Sequence, residues 1–145
     1  LQLPGWRPVF DRFAEIPSVA RFREAADALV ELVQTAPLTD EQMSSDLDFQ
    51  QSLAQLFTLL PYGQLILENA RIYGVDVDAI DQIFEFMVRD LSKHALALYC
   101  KVGSTPQQMD YCLKMIRTPA TGVDRFEKIY SEQVYPLKDA YEMNP

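Results

Sequence analysis

Apolar residues recur at three- and four-residue steps along most of the chain, the period of helices that each bury one face. The clearest run is Ile80, Ile83, Phe84, Met87, Val88, Leu91, Ala95 and Leu98. It predicts a helix starting near Asp76, whose carboxylate can accept a first-turn N–H, with Val75 packed on Ile80 as a hydrophobic staple. At about 1.5 to 3 kcal/mol for each large side chain buried, that face outweighs any single surface feature. Gly103 is placed to end the helix with a left-handed residue. Thr105 then caps the next helix, with Pro106 at its first position and Gln108 closing a capping box. Its expected buried stripe is Met109, Cys112, Leu113 and Ile116.

The same grammar covers the rest of the chain. Ser18, after Pro17, opens a helix with Val19, Phe22, Ala26, Leu29, Val30 and Val33 inward, ended before Pro37. Thr39 and Gln42 form a second capping box. From there apolar spacing runs through Leu47, Leu53, Leu56, Phe57 and Leu60, past Pro61, to Leu65, Ile66, Ala70 and Ile72. This predicts one long helix, kinked at Pro61 and ended by Gly74. A last helix near Asp124 to Tyr135 carries Phe126, Ile129, Tyr130 and Val134 and stops at Pro136. Residues 1–16 and the closing YEMNP read as arms that lie on this domain or on a partner.

Short apolar runs such as ALALYC sit inside longer helical periodicity, so no strand is expected. The fold class is all-α: a single domain over residues 1–145, a bundle of about five helices, mainly antiparallel, one of them proline-kinked. No repeat period of solenoid length is visible. Because Leu1 is not a methionine, the chain is expected to be a fragment or processed product of a longer protein.

Thirteen Lys and Arg against twenty-one Asp and Glu leave a net charge of −8, the wrong sign for non-specific binding to nucleic acid. No apolar run long enough to span a membrane occurs, and none of these residues has the basic and apolar pattern of a secretory signal, so neither is expected. The two cysteines, Cys100 and Cys112, fall inside predicted helices and are not a disulfide framework. A cytoplasmic setting is therefore expected, with both thiols buried and structural.

Candidate chemistry is sparse. His94, the single histidine, follows Asp90 by one turn, a spacing that orients an imidazole, but a metal site needs more ligands, and a structural histidine is the expectation. Asp46, Asp48, Asp76, Asp78, Asp81, Glu85 and Asp90 lack calcium-loop spacing and are expected to cap helices and solvate faces. Phe49, Phe57, Tyr62, Tyr73, Phe84 and Tyr99 should mostly be core, whereas Phe86 falls off the main stripe and marks a second contact surface. Tyr62 and Gln64, at the LPYGQ break, are the candidates for polar groups facing a ligand or cofactor; the alternative is that they only satisfy the proline kink.

The segments LAQLFTLLPYGQLILENA, DQIFEFMVRDLSKHALALYCK, STPQQMDYCLKMIR and DAYEMNP resemble the C-terminal helical region of bacterial acyl-CoA dehydrogenase-like flavoproteins, over roughly residues 47–145. The resemblance implies a domain that contributes scaffold, oligomer interface and part of a site for FAD and an acyl-CoA thioester. The implied partners are further copies of the chain or other domains of the parent protein. The implied reaction is α-proton abstraction by a carboxylate with hydride transfer from the β-carbon to the flavin, which more than one domain must organise. The family's HGG turn and YEGT-type motif are absent. Tyr141 and Glu142 match only the first two letters of the latter, so no catalytic role is carried to Glu142. The other function consistent with the residues is a stand-alone helical binding or protein-interaction module.

Overall fold

The computed structural model of the chain describes residues 5–140, and all the regular structure within them is helical. Tyr141 and Glu142 lie outside the described residues. Five substantial helices carry the architecture: α2 (Pro17–Thr35), α4 (Leu47–Tyr73), α5 (Val77–Tyr99), α6 (Pro106–Met115) and α7 (Val123–Ile129). Two single-turn helices, α1 (Arg7–Asp11) and α3 (Asp40–Ser44), were not separate expectations. No helix among the described residues is long and apolar enough to cross a membrane.

Helix α5 is the hub, packed against α2, α4, α6 and α7. Its stripe is buried as the periodicity predicts: Phe84, Ala95 and Leu98 are wholly inaccessible, and Ile80, Met87, Val88 and Leu91 nearly so, while Ile83 stays at the rim. Asp76 caps it by accepting the N–H of Asp78. Val75 is exposed and forms no part of the core. The preceding turn is closed by Gly74 at φ 63°, a left-handed conformation that costs a side chain about 1–2 kcal/mol. That tight turn folds α5 back antiparallel to α4.

The other end of α5 corrects the expectation for Gly103. Gly74 is the one positive-φ residue among those described. Helix α5 instead stops where Leu98 O accepts from both Ser104 Oγ (2.6 Å) and Lys101 N (3.1 Å). Gly103 leaves room for the Asp46 carboxylate, which a Cβ there would push aside.

The long helix also begins later than its apolar spacing suggests. Thr39 and Gln42 do form their capping box, but α3 ends after one turn at Ser44. Asp46 then starts α4 afresh by accepting Phe49 N–H at 2.9 Å, the competition that a Ser-Ser-Asp run offers to helix continuation. Gln50 Nε2 donates to Gln42 O and Met43 O and so satisfies the carbonyls that α3 leaves open.

Residues 6–16 pack on the domain itself. Trp6, Phe10 and Ile16 are core residues, and Phe10 stacks on Phe22 at 5.7 Å while meeting Phe84 edge-on at 6.0 Å. Gly63 lets α4 close on this group, since a Cβ there would sit 3.1–3.3 Å from Phe22, Phe10 and Met87.

Candidate functional site

Helix α7 is folded inside out. Its Phe126, and Tyr130 and Val134 in the helical turn that follows it (Tyr130–Val134), are about half exposed, and no residue from Val123 to Leu137 is fully buried. What it turns inward is Arg125, whose side chain is 11% exposed. The expectation that Phe126, Tyr130 and Val134 form an ordinary apolar face is therefore corrected. The physical reason lies on α5, where Asp78, Asp81 and Glu85 recur at three- and four-residue steps and face the α7 cations Arg125 and Lys128.

Arg125 is held as a fork. Its Nη1 donates to Asp81 Oδ2 and to Ala120 O (3.2 Å), and its Nη2 donates to Glu85 Oε2. Gln82 Oε1 accepts from both Nε and Nη2 at 3.4 Å. Asp81 and Glu85 are both buried, which such carboxylates tolerate only when paired. Glu85 Oε1 also accepts from Arg89 at 2.5 Å. Asp81 Oδ1 reaches across to accept Ser18 N–H at 2.8 Å. The first turn of α2 has no side-chain cap of its own, so Asp81 caps it from another helix. One carboxylate thus fastens α2, α5 and α7 together. At the edge of the cluster, Lys128 pairs with Asp78, and the hydrogen bond and charge of Asp78 raise the Lys128 pKa above its usual value.

Beside this clamp, an open cleft of about 320 Å³ runs between Phe86 on α5 and Phe126 on α7, with Glu85 and Arg89 at its polar edge. Phe86 is 53% exposed, and the Arg89 guanidinium lies 5.8 Å from its ring centroid. The separation of Phe86 from the main stripe thus places it on a surface formed with α7. Beyond the cleft, Phe126 and Tyr130 stack at 6.5 Å, and Tyr130 meets Tyr135 at 6.2 Å. A second cleft of about 450 Å³ follows along Tyr130, Val134, Tyr135 and Leu137.

The ligand-facing candidates lie elsewhere. Tyr62 is 57% exposed on the outer side of α4, while Gln64 donates to Glu68 Oε1 at 3.0 Å. Neither lines the clefts along α7. Tyr73 is likewise exposed, so the expectation that these α4 aromatics are core holds for Phe49 and not for Tyr62 or Tyr73. Asp90 makes no hydrogen bond to the half-buried His94 among the described residues. Cys112 is buried, and burial pushes its thiol up to about 11; Cys100 is exposed at the end of α5, which corrects its reading as a buried thiol. Asp46 and Asp76 cap helices, as expected of the acidic residues, and Asp48 pairs with Lys101. Among the described residues, no three His, Cys, Asp or Glu side chains converge as metal ligands would.

Sequence reasoning missed Arg125. The available signal was the matching spacing of the acidic residues on α5 and the basic residues on α7. Comparison with family models, with curated proteins and with solved structures finds no match to this chain.

Proposed function

We infer that the chain is a helical assembly domain, the part that the resemblance gives to the C-terminal helices of an acyl-CoA dehydrogenase-like flavoprotein. In this reading α7 and the turns after it dock a neighbouring domain of such a protein. The observation that supports it is the inverted α7: Arg125 anchors the helix rigidly through its polar side while Phe126, Tyr130, Val134 and Tyr135 face outward. Contiguous outward aromatic surface on a firmly held element is what a docking face requires.

In this reading the chain does not hold a flavin by itself. The clefts along α7, of about 320 and 450 Å³, are open and carry no glycine-rich phosphate turn. Asp81 and Glu85 are committed to Arg125 and are unsuited to serve as a catalytic base. Flavin and acyl-CoA would be held mainly by residues outside this chain, and fatty acyl-CoA oxidation would belong to the parent protein.

The second reading, a stand-alone binding module, is favoured by the Phe86–Phe126 cleft, which has room for one apolar side chain or a small apolar ligand. Expressing the chain together with its flanking coding sequence and recording the visible absorbance separates the two. Bound flavin that is lost on Phe126→Glu with Tyr130→Glu supports the assembly reading. A colourless folded product leaves the binding module.

A further inference from the structure

We propose that the turn joining α4 to α5 is a lipid-binding tip, which inserts Ile72, Tyr73, Val75 and Val77 into the surface of a zwitterionic bilayer. The inference does not rest on the flavoprotein reading, and it concerns residues that line neither cleft along α7.

Residues 71–77 are seven consecutive exposed positions at the end of the α4–α5 hairpin. Turns of this kind ordinarily present Gly, Asn, Asp, Ser or Pro to water. Here Ile72 is 68% exposed, Tyr73 78%, Val75 39% and Val77 59%. Between them, a Cβ built on Gly74 would have no neighbour within 4 Å. The apolar group therefore stands on a projecting turn and is not the wall of a groove.

The backbone of the tip suits a medium that offers no hydrogen bonds. Ala70 O accepts both Gly74 N–H and Val75 N–H, the latter at 2.9 Å, and Asp76 Oδ1 accepts Asp78 N–H at 2.9 Å. These polar groups, costly to strip of water when unpaired, are already closed within the turn.

Charge and size select the occupant. The charged side chains of the tip are Arg71, Asp76 and Asp78, of which Asp78 is paired with Lys128. Arg71 makes no salt bridge among the described residues. One cation and one anion thus flank the apolar side chains, complementary to a phosphocholine headgroup. Arg71 suits the phosphate, while Asp76 and the ring face of Tyr73 suit the quaternary ammonium. Tyrosine is also a side chain that settles at headgroup level. Anionic lipid is disfavoured by the net charge of −8. A protein partner is the poorer occupant, because a stable protein contact takes about 20–30 residues a side, several times what this turn presents. The contact is interfacial, with the body of the helices outside the bilayer.

Sedimentation of the 145-residue chain with phosphatidylcholine vesicles tests this beside a Tyr73→Asp, Val77→Asp double variant and, at the opposite end of α5, Val102→Asp. The wild type and Val102→Asp should pellet with the vesicles. The double variant should partition at least about tenfold more weakly with unchanged circular dichroism, because both side chains are exposed and take no part in the core. Replacing part of the phosphatidylcholine by phosphatidylserine should weaken wild-type binding. With vesicles, the emission of Tyr73→Trp should shift to the blue and be quenched by brominated acyl chains, against a constant background from Trp6, which is buried in the core. A wild type left in the supernatant, a double variant that binds as the wild type does, or binding that demands anionic lipid overturns the proposal. Tyr73→Trp emission that stays unshifted and unquenched on bound chains overturns insertion of the tip.

Discussion

Gln42 and Gln108 grip each other by both ends of their amides. Gln42 Nε2 donates to Gln108 Oε1 at 2.8 Å, and Gln108 Nε2 donates to Gln42 Oε1 at 3.0 Å. Each oxygen also accepts the backbone N–H of its own cap, Thr39 or Thr105, at 2.9 Å. Each nitrogen reaches a carbonyl two residues before the partner's cap, Gly103 O at 2.6 Å and Pro37 O at 3.5 Å. Two capping boxes are thereby locked into one buried unit that ties the start of α3 to the start of α6.

Removing one amide leaves the other buried and partly unpaired. Gln108→Ala should cost about 2–4 kcal/mol, combining lost hydrogen bonds with the desolvation of groups left behind. Gln42→Ala with Gln108→Ala should cost less than the sum of the single changes, since the second removes groups already orphaned. Urea unfolding of the four proteins measures the difference; strict additivity would contradict the shared unit.

Arg125→Met should release α7 from α5. Both buried carboxylates would lose their main partner, and undocking lets water reach them, so the loss should be local rather than global. Hydrogen exchange should show residues 123–137 losing protection while the core of α5 keeps its own. Asp81→Asn should act more widely and weaken α2 as well, because it removes part of the bond to Ser18 N–H along with the Arg125 pair.

Gly63→Ala opposes two effects of similar kind. Alanine favours the helix by roughly 1 kcal/mol. Its methyl group, however, meets Phe22, Phe10 and Met87 at 3.1–3.3 Å, and overpacking of that sort costs about 1–3 kcal/mol. Net destabilisation is expected, read as a lower urea midpoint; Gly5→Ala, with open space around it, should show none.

Cys112 gives a pH signature. Its thiol keeps its proton in the fold up to about 11, against 9.0 for the ordinary group, so the unfolded chain ionises first as pH rises. The folded state holds the extra proton in that window, and stability, fully present below 9.0, falls between 9.0 and about 11. The alkaline decline in unfolding free energy should be shallower in Cys112→Ala. At neutral pH a thiol reagent should modify Cys100 quickly and Cys112 only after denaturant is added.

What the sequence determined by itself is the helical class and most helix ends. Thr39 with Gln42, Thr105 with Gln108, Asp46, Asp76 and Gly74 act within a few residues, and each local signal survives folding unchanged. Asp46 was legible as a capping residue, yet it interrupts a run that periodicity alone carries straight through. Periodicity also says that a face exists without saying what covers it. Only the tertiary structure decided which face of α4 turns inward: Leu47, Leu65 and Ile72 of the apolar run stay exposed, while Gly63 closes on Phe10, Phe22 and Met87 where a Cβ would sit 3.1–3.3 Å from them. It also decided that α7 buries Arg125 rather than Phe126, since the acidic residues that draw it in lie some forty residues away on α5. The pairing of Gln42 with Gln108, the capping of α2 by Asp81 and the burial of Trp6 and Phe10 share that origin. Each depends on long-range contacts that form only once the helices have packed, and apart from the matched acidic and basic spacing of α5 and α7, spacing along the chain carries no record of them.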